Sequence, residues 1–308
     1  MSGQEREKLK NLLEAVPTGF LVDSAWLEHH GIGRRSSYAY VQRGWLERLG
    51  RGVFRRPSPS SATTNTLDWK ACLLSLQHIM HYPVHIGGAT ALSLQGYAHY
   101  LSLGDKSTVW LYGSKIPSWL DKLPLNAELR TRSVSLFSDP ELGVDDARHD
   151  LNETASSLPW DWKLVMSSPE RAILEALDEL PDQESFHNLD MVFESLTTLR
   201  PRTLSALLRS CKKIKVKRLF FVFADRHDHA WRKRLDPEEF DLGSGDRALV
   251  KGGTIQPRYR IMVSDAGRNT RSDTSMLWSA RSKATIGAVA SAWCNRRSCD
   301  LPVSFART

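Results

Sequence analysis

The sequence predicts an α+β protein, with an N-terminal winged helix-turn-helix domain followed by a larger mixed α/β domain. Three observations lead there. The first 57 residues break into short elements in the order helix, helix, turn, helix, β-hairpin. A Pro-, Ser- and Thr-rich stretch, PSPSSATTNT, then interrupts all periodicity. Beyond it the elements lengthen and mix helical with strand patterns, without an alternating βαβ rhythm and without an internal repeat. The expected organisation is residues 1–57 as the winged helix, 58–66 as linker, 67–263 as the mixed α/β domain, and 264–308 as a loosely ordered, unpatterned tail.

Each N-terminal element has a local reason. Leu9, Leu12, Leu13 and Val16 recur at helical spacing, and Pro17-Thr18-Gly19 stops that helix. Asp23 or Ser24 caps a second helix, AWLEHH, which Gly31 ends. After Ile32-Gly33, a third helix is expected from about Arg34 to Arg43, with Gly44 at its C-cap. WLERL and VFRRP are expected as the two strands of a hairpin turned at Gly50-Arg51-Gly52, and Pro57 ends the second. On a 3.6-residue period Arg34, Tyr38, Val41 and Trp45 share the face expected to pack inward. Arg35, Ser36, Tyr40 and Arg43 are expected to face out.

In the larger domain, LDWKACLLSLQHIM (67–80) is expected as a helix, and HIGGATALSLQGYAHYL as a turn with a short helix. Strands are expected at 107–113, 127–137 and 162–168, with short ones near 247–263. Three or so helices fill 169–226, the first opening at Pro169.

Charge is concentrated rather than spread. The chain has 308 residues and a net charge of +7, but residues 31–57 alone carry seven arginines against Glu47. An outward helix face of Arg, Ser and Tyr suits major-groove reading: Arg bridges guanine O6 and N7, and Ser and Tyr bond base edges or phosphate. Arg51, between two glycines, rides the tip of the wing, with Arg48, Arg55 and Arg56 flanking it for backbone or minor-groove contact. The bland alternative is a protein–protein module with a solvated basic face, and the placement of charge on the two DNA-meeting elements argues against it. A second basic run spans 200–234, with Lys212, Lys213, Lys215, Lys217 and Arg218 at its centre. It reads equally as a solvated face and as further nucleic-acid contact.

Other chemistries find little support. Four cysteines, Cys72, Cys211, Cys294 and Cys299, are too few and scattered for a disulfide framework and suit a reducing cytoplasm. The N-terminus has no secretory pattern, and the strongest apolar run, LFFVFA, is far short of the roughly 18 residues a membrane helix requires. His78 and His81, with Cys72 and His85 nearby, and His227 beside His229 lack the paired spacing of a metal site, so no cofactor is expected. The paired glycines in IGGATALSLQG and DLGSGDRALVKGG match no phosphate-loop pattern, which favours tight turns and close packing. The sharpest enzymatic rival is a nuclease targeted by the winged helix. Restriction-type nucleases hold metal with an Asp followed by Glu-x-Lys, and no Glu-x-Lys occurs in this chain, so no enzyme is expected.

Several long strings, in the same order, resemble the AbiEi antitoxins of bacterial type IV toxin–antitoxin systems. They are GIGRRSSYAYVQRGWLERLGRGVFRRP, HIGGATALSLQGYAHYL, the Pro-Glu-Arg-Ala helix start at 169–172, LRPRTLSALLRSCKKIKVKRLFFVFADRHDHAW, DLGSGDRALVKGG and YRIMV. The resemblance spans about residues 5 to 263 and leaves out the tail. It implies an autorepressor whose winged helix binds operator repeats in double-stranded DNA; beside it, self-association through contacts between neighbouring copies on DNA is expected. It also implies a C-terminal domain that supports repression and counters a nucleotidyltransferase-like toxin without a stable complex, in abortive infection by phage. Carried onto this sequence, the implied DNA contacts are Arg34, Arg35, Ser36, Ser37, Tyr40 and Arg43 on the helix and Arg51 and Arg55 on the wing, with Arg56 a further candidate from its place beside the wing.

Overall fold

A computed structural model describes residues 3–58, 66–97, 107–145, 161–249 and 254–263. The expected linker, apart from its end residues 58 and 66, and the expected tail at 264–308 lie outside the described residues.

Helix α1 (Gly3–Ala15) turns Leu9 and Leu12 inward, and Val16 follows them into the same small core. Strand β1 (Leu21–Asp23) is buried throughout and runs into α2 (Ser24–His29). Asp23 caps that helix: its Oδ1 accepts from the Trp26 N–H at 2.8 Å. Gly31, at φ +71°, ends α2, and α3 (Arg34–Gln42) follows. Strands β2 (Glu47–Gly50) and β3 (Val53–Arg55) form the hairpin, and Gly52 supplies a positive φ of +77° at its turn. β3 lies between β1 and β2 in a three-stranded antiparallel sheet. Helix, strand, helix, helix and hairpin, closed by that sheet, have the connectivity expected of a winged helix-turn-helix. β1 is legible only through its partner: three residues carry no alternation, and pairing of Leu21–Asp23 with Val53–Arg55 makes them a strand.

The larger part begins with α4 (Trp69–Leu74), which widens into a π-turn at Ser75–Ile79. Then come β4 (Val84–Ile86), α5 (Gly88–Leu94), β5 (Ser107–Gly113) and β6 (Ala127–Arg132). Next are β7 (Val144–Asp145), β8 (Met166–Ser167) and four helices, α6 (Pro169–Asp178), α7 (Phe186–Ser195), α8 (Pro201–Ser210) and α9 (Ile214–Ala224). Short strands β9 (Arg247–Ala248), β10 (Thr254–Gln256) and β11 (Ile261–Val263) close the described chain. The main sheet is mixed, in the order β6-β5-β4-β8-β7. The strand expected over 127–137 stops at Arg132 because its last ladder partner is Tyr112, one residue before β5 ends. The strand expected over 162–168 is cut to two residues, since only Met166 and Ser167 find partners.

Helix α6 forms the centre. Ala172, Ile173, Leu174, Ala176 and Leu177 are all buried, and so are Arg171 and Glu175. Charges at such depth persist only when paired and hydrogen-bonded. Glu175 accepts from Arg171 Nε at 2.7 Å, the Ser167 hydroxyl at 2.8 Å and the Gly88 N–H at 3.0 Å, with His85 Nε2 3.3 Å away. Burial works against the Glu175 charge, yet His85 and Arg171 outweigh it and hold the carboxyl below its usual range. This explains the glycine pair. A Cβ at Gly87 would sit 2.2 Å from Glu175 Oε2 and 2.6 Å from the Tyr112 ring. Close packing occupies the place where a phosphate cradle would lie.

The winged part is bonded directly to the larger one. Leu21 and Val53 belong to the larger core, and Ile79 packs into the smaller one. The Leu21 N–H donates to Ser75 Oγ at 2.9 Å, and the Tyr82 hydroxyl donates to Asp23 Oδ2 at 2.6 Å. Burial and the Asp23 carboxylate push the Tyr82 hydroxyl up to about 12. Phe20 meets Trp162 edge-on at 5.3 Å.

Asp23 therefore both caps α2 and receives Tyr82. Asp23→Ala is expected to cost about 2–3 kcal/mol, from a lost cap and a hydroxyl left without its acceptor. Tyr82→Phe should cost less, because it leaves the cap intact. Urea unfolding of both variants checks the order.

Candidate nucleic-acid interface

Helix α3 is short, and its packing sets which residues remain outside. Tyr40 is 2 % exposed and Ser37 6 %. The Tyr40 hydroxyl reaches Glu5 O on α1 at 3.4 Å, and the Ser37 hydroxyl donates to Arg34 O at 2.9 Å. Burial, with Glu5 adding to it, raises the Tyr40 pKa. The expected facing of this helix is thus corrected. Tyr40 faces in, whereas Tyr38, expected inside, is 65 % exposed, and Trp45 is 41 % exposed. The inward face follows Ser37 and Tyr40, with half-buried Val41, rather than Arg34, Tyr38 and Val41. Trp45 does not extend that face, because Gly44 at φ +74° turns the chain off the helix. Leu46 enters the core in its place.

Two wing arginines are also corrected. Arg55 is buried, its guanidinium gripping Glu47 Oε2 across the hairpin at 2.6 Å. Arg56 donates to the carbonyls of Leu13 and Val16, closing the end of α1. Arg55 Nε and Nη2 and Arg56 Nη1 are thus engaged inside the module.

What remains outside is a coherent set. Arg34, Arg35, Arg43, Arg48 and Arg51 are all exposed, and Ser36 is half-buried. Arg34, Tyr38 and Gln42, one turn apart on α3, line a groove with Arg48 and Arg51 of the wing. Arg48 Nε donates to Gly50 O at 3.1 Å, which lays that side chain along the hairpin. The start of α2, at Ser24 and Ala25, forms the floor, and Ser24 N–H donates to Gly52 O at 2.8 Å. The groove has a volume of about 1100 Å³. Its acids are Asp23, already bonded to Tyr82 and the α2 cap, and exposed Glu28. Gln42 lines it although periodicity had not singled it out, and Tyr38, which periodicity had turned inward, lines it as well.

The second basic run resolves differently. Lys213 binds Asp178 at 2.6 Å, and Lys215 donates to the carbonyls of Asp178 and Leu180. Lys217 is buried and donates to Asp241 O. Arg218 is 1 % exposed and donates to the carbonyls of Leu242, Gly243, Gly245 and Arg260. Of the five central cations, Lys212 and Lys213 are exposed. The run therefore serves mainly to tie α9 to α6 and to the segment 241–260.

Histidines are placed structurally as well. His78 lies 2.8 Å from Lys163 O, His227 3.1 Å from Asp190, and His229 2.7 Å from Phe193 O. Among the described residues no group of three or more His, Cys, Asp or Glu is placed to hold a metal, and no helix is long and apolar enough to cross a membrane. Cys294 and Cys299 lie outside the described residues.

Two family models match the chain. One, described as transcriptional regulator, AbiEi antitoxin, type IV TA system, matches residues 106–264. The other, described as transcriptional regulator, AbiEi antitoxin N-terminal domain, matches residues 5–103. No curated protein matches. Among solved structures, the RV2827C protein from Mycobacterium tuberculosis is similar at 15% identity and a TM-score of 0.49, covering 85% of this chain and 92% of that one.

Arg218→Met should leave four carbonyls without their donor and destabilise the fold by about 3 kcal/mol or more. Lys213→Ala, at an exposed ion pair, should cost less than about 1 kcal/mol. Denaturant midpoints of the two variants test this division between a buried tie and a surface pair.

Proposed function

The chain belongs to the AbiEi family of antitoxin transcriptional regulators of type IV toxin–antitoxin systems, and from that premise we propose that it represses its own operon by binding duplex DNA through α3 and the wing. The observation that carries this reading is the set of exposed arginines on those two elements, Arg34, Arg35, Arg43, Arg48 and Arg51. Arg35 and Arg43, with Ser36, sit on the α3 surface suited to the major groove, where base edges are read. Arg48 and Arg51 lie on the hairpin, where a wing follows the sugar-phosphate strand. Arg34, in the first turn of α3, is placed for phosphate. Ser37, Tyr40, Arg55 and Arg56 hold the module together and stand outside the contact set.

The partner on the antitoxin side is proposed to be a nucleotidyltransferase-like toxin, countered by the larger part of the chain without a stable complex. A reading frame for such a protein next to this one, and rescue of its toxicity by this chain without co-purification, are the supporting outcomes. A stable stoichiometric complex would oppose that part of the reading.

DNA binding is tested by gel shift with the duplex upstream of the chain's own coding region. The shift should be the same in EDTA and should leave the DNA intact, whereas metal-dependent cleavage would favour the nuclease reading. Arg48→Ala and Arg51→Ala should each flatten the salt dependence of log Kd by nearly one unit and weaken all sequences alike. Arg35→Ala should lose about 1–3 kcal/mol of discrimination between operator and mismatched duplex. Tyr40→Phe, retaining the buried ring, should change neither.

A further inference from the structure

The groove beside α3 is not bounded by the winged helix alone. Pro117, Ser118 and Trp119, from the segment after β5, line it together with Arg34, Tyr38, Arg48 and Arg51, and so does Tyr82. This wall belongs to the larger part of the chain. Trp119 is half-buried and packs against the larger core, which fixes its backbone, while Ser118 is exposed. The wall also cannot swing away freely. Tyr82 is bonded to Asp23, Leu21 to Ser75, and Val53 is shared with the larger core.

A strand held between α3 and the wing must therefore pass this third wall. We infer that Pro117–Trp119 form part of the DNA-binding surface and contact the sugar-phosphate strand that runs between the reading helix and the wing. Its contact chemistry is non-specific. A serine hydroxyl donates to a phosphate oxygen, and the edge of an indole packs on sugar. Two of the groove's walls carry positive charge, from Arg34 on one and Arg48 and Arg51 on the other, and the third wall is neutral at Ser118. This inference rests on the DNA-binding reading above. It adds a defined contact, through the segment Pro117–Trp119, to that reading.

The test places charge on the exposed wall without touching either core. Ser118→Lys should steepen the salt dependence of log Kd by nearly one unit, and Ser118→Glu should weaken binding at every salt concentration. Thr198→Lys is the control: it adds the same charge at an exposed residue that does not line the groove. Binding is measured by fluorescence anisotropy of the intact chain with a labelled duplex from upstream of its own coding region. An unchanged slope in both Ser118 variants, or an equal change in Thr198→Lys, would overturn the inference. Arg51→Ala, measured alongside, separates the two levels. If it flattens the slope while the Ser118 variants do nothing, the third wall alone is wrong. If neither Arg51 nor Ser118 matters, the DNA-binding reading fails and this inference with it.

Discussion

Asp23 is the point on which the arrangement turns. One carboxylate oxygen starts α2 by accepting the Trp26 N–H, and the other accepts the Tyr82 hydroxyl from the larger half. Both acceptors are used, and the residue is 5 % exposed. A buried carboxylate left with free lone pairs would be costly, so the Tyr82 bond ties the capping residue to the larger half. The strand that carries Asp23 pairs with the hairpin strand β3, so the same few residues set the hairpin, α2 and the junction. The helices attached in this way are held in position by the larger half rather than tethered to it.

The distribution of arginines follows the same logic of satisfied and unsatisfied charge. Arg55, Arg56, Arg171 and Arg218 are basic in the sequence but spend their donors on Glu47, on helix-end carbonyls, on Glu175 and on a cage of backbone oxygens. Their guanidinium groups suit this work because a planar fork satisfies several acceptors at once. Arg34, Arg35, Arg43 and Arg51 keep their charge toward solvent, and no carboxylate pairs with them among the described residues. Net charge therefore overstates what a polyanion would meet, and the useful quantity is the part left outside after the fold has taken its share.

Much of this was legible in the sequence. Helix starts at Asp23 and Pro169, glycine turns at Gly31, Gly44 and Gly52, and the hairpin were readable because local residue chemistry determines them. The facing of α3 was not. Over nine residues the pattern Arg34-Tyr38-Val41 and the pattern Ser37-Tyr40 differ by about 100°, one residue's turn of the helix, and bulk alone misleads. Ser37 lies inside because its hydroxyl satisfies Arg34 O locally, and Tyr40 because α1 offers Glu5 O to its hydroxyl. The second partner is set by tertiary structure alone. The run at 212–218 read equally as a solvated face and as nucleic-acid contact, and the bonds of Lys215, Lys217 and Arg218 were not legible there because their acceptors, among them Asp178, Asp241 and Arg260, are distant in sequence. The wall at Pro117–Trp119 had no motif and became visible only once β5 and the junction were placed.

The central claim is that duplex DNA meets α3, the wing and the adjoining wall, and not the α9 lysines. Amide hydrogen exchange of the intact chain, free and bound to its upstream duplex, tests this most directly. The account predicts slowed exchange on DNA binding at residues 34–43, 48–52 and 118–120, with residues 212–218 unchanged. Protection confined to 212–218, with α3 and the wing unaltered, would contradict it.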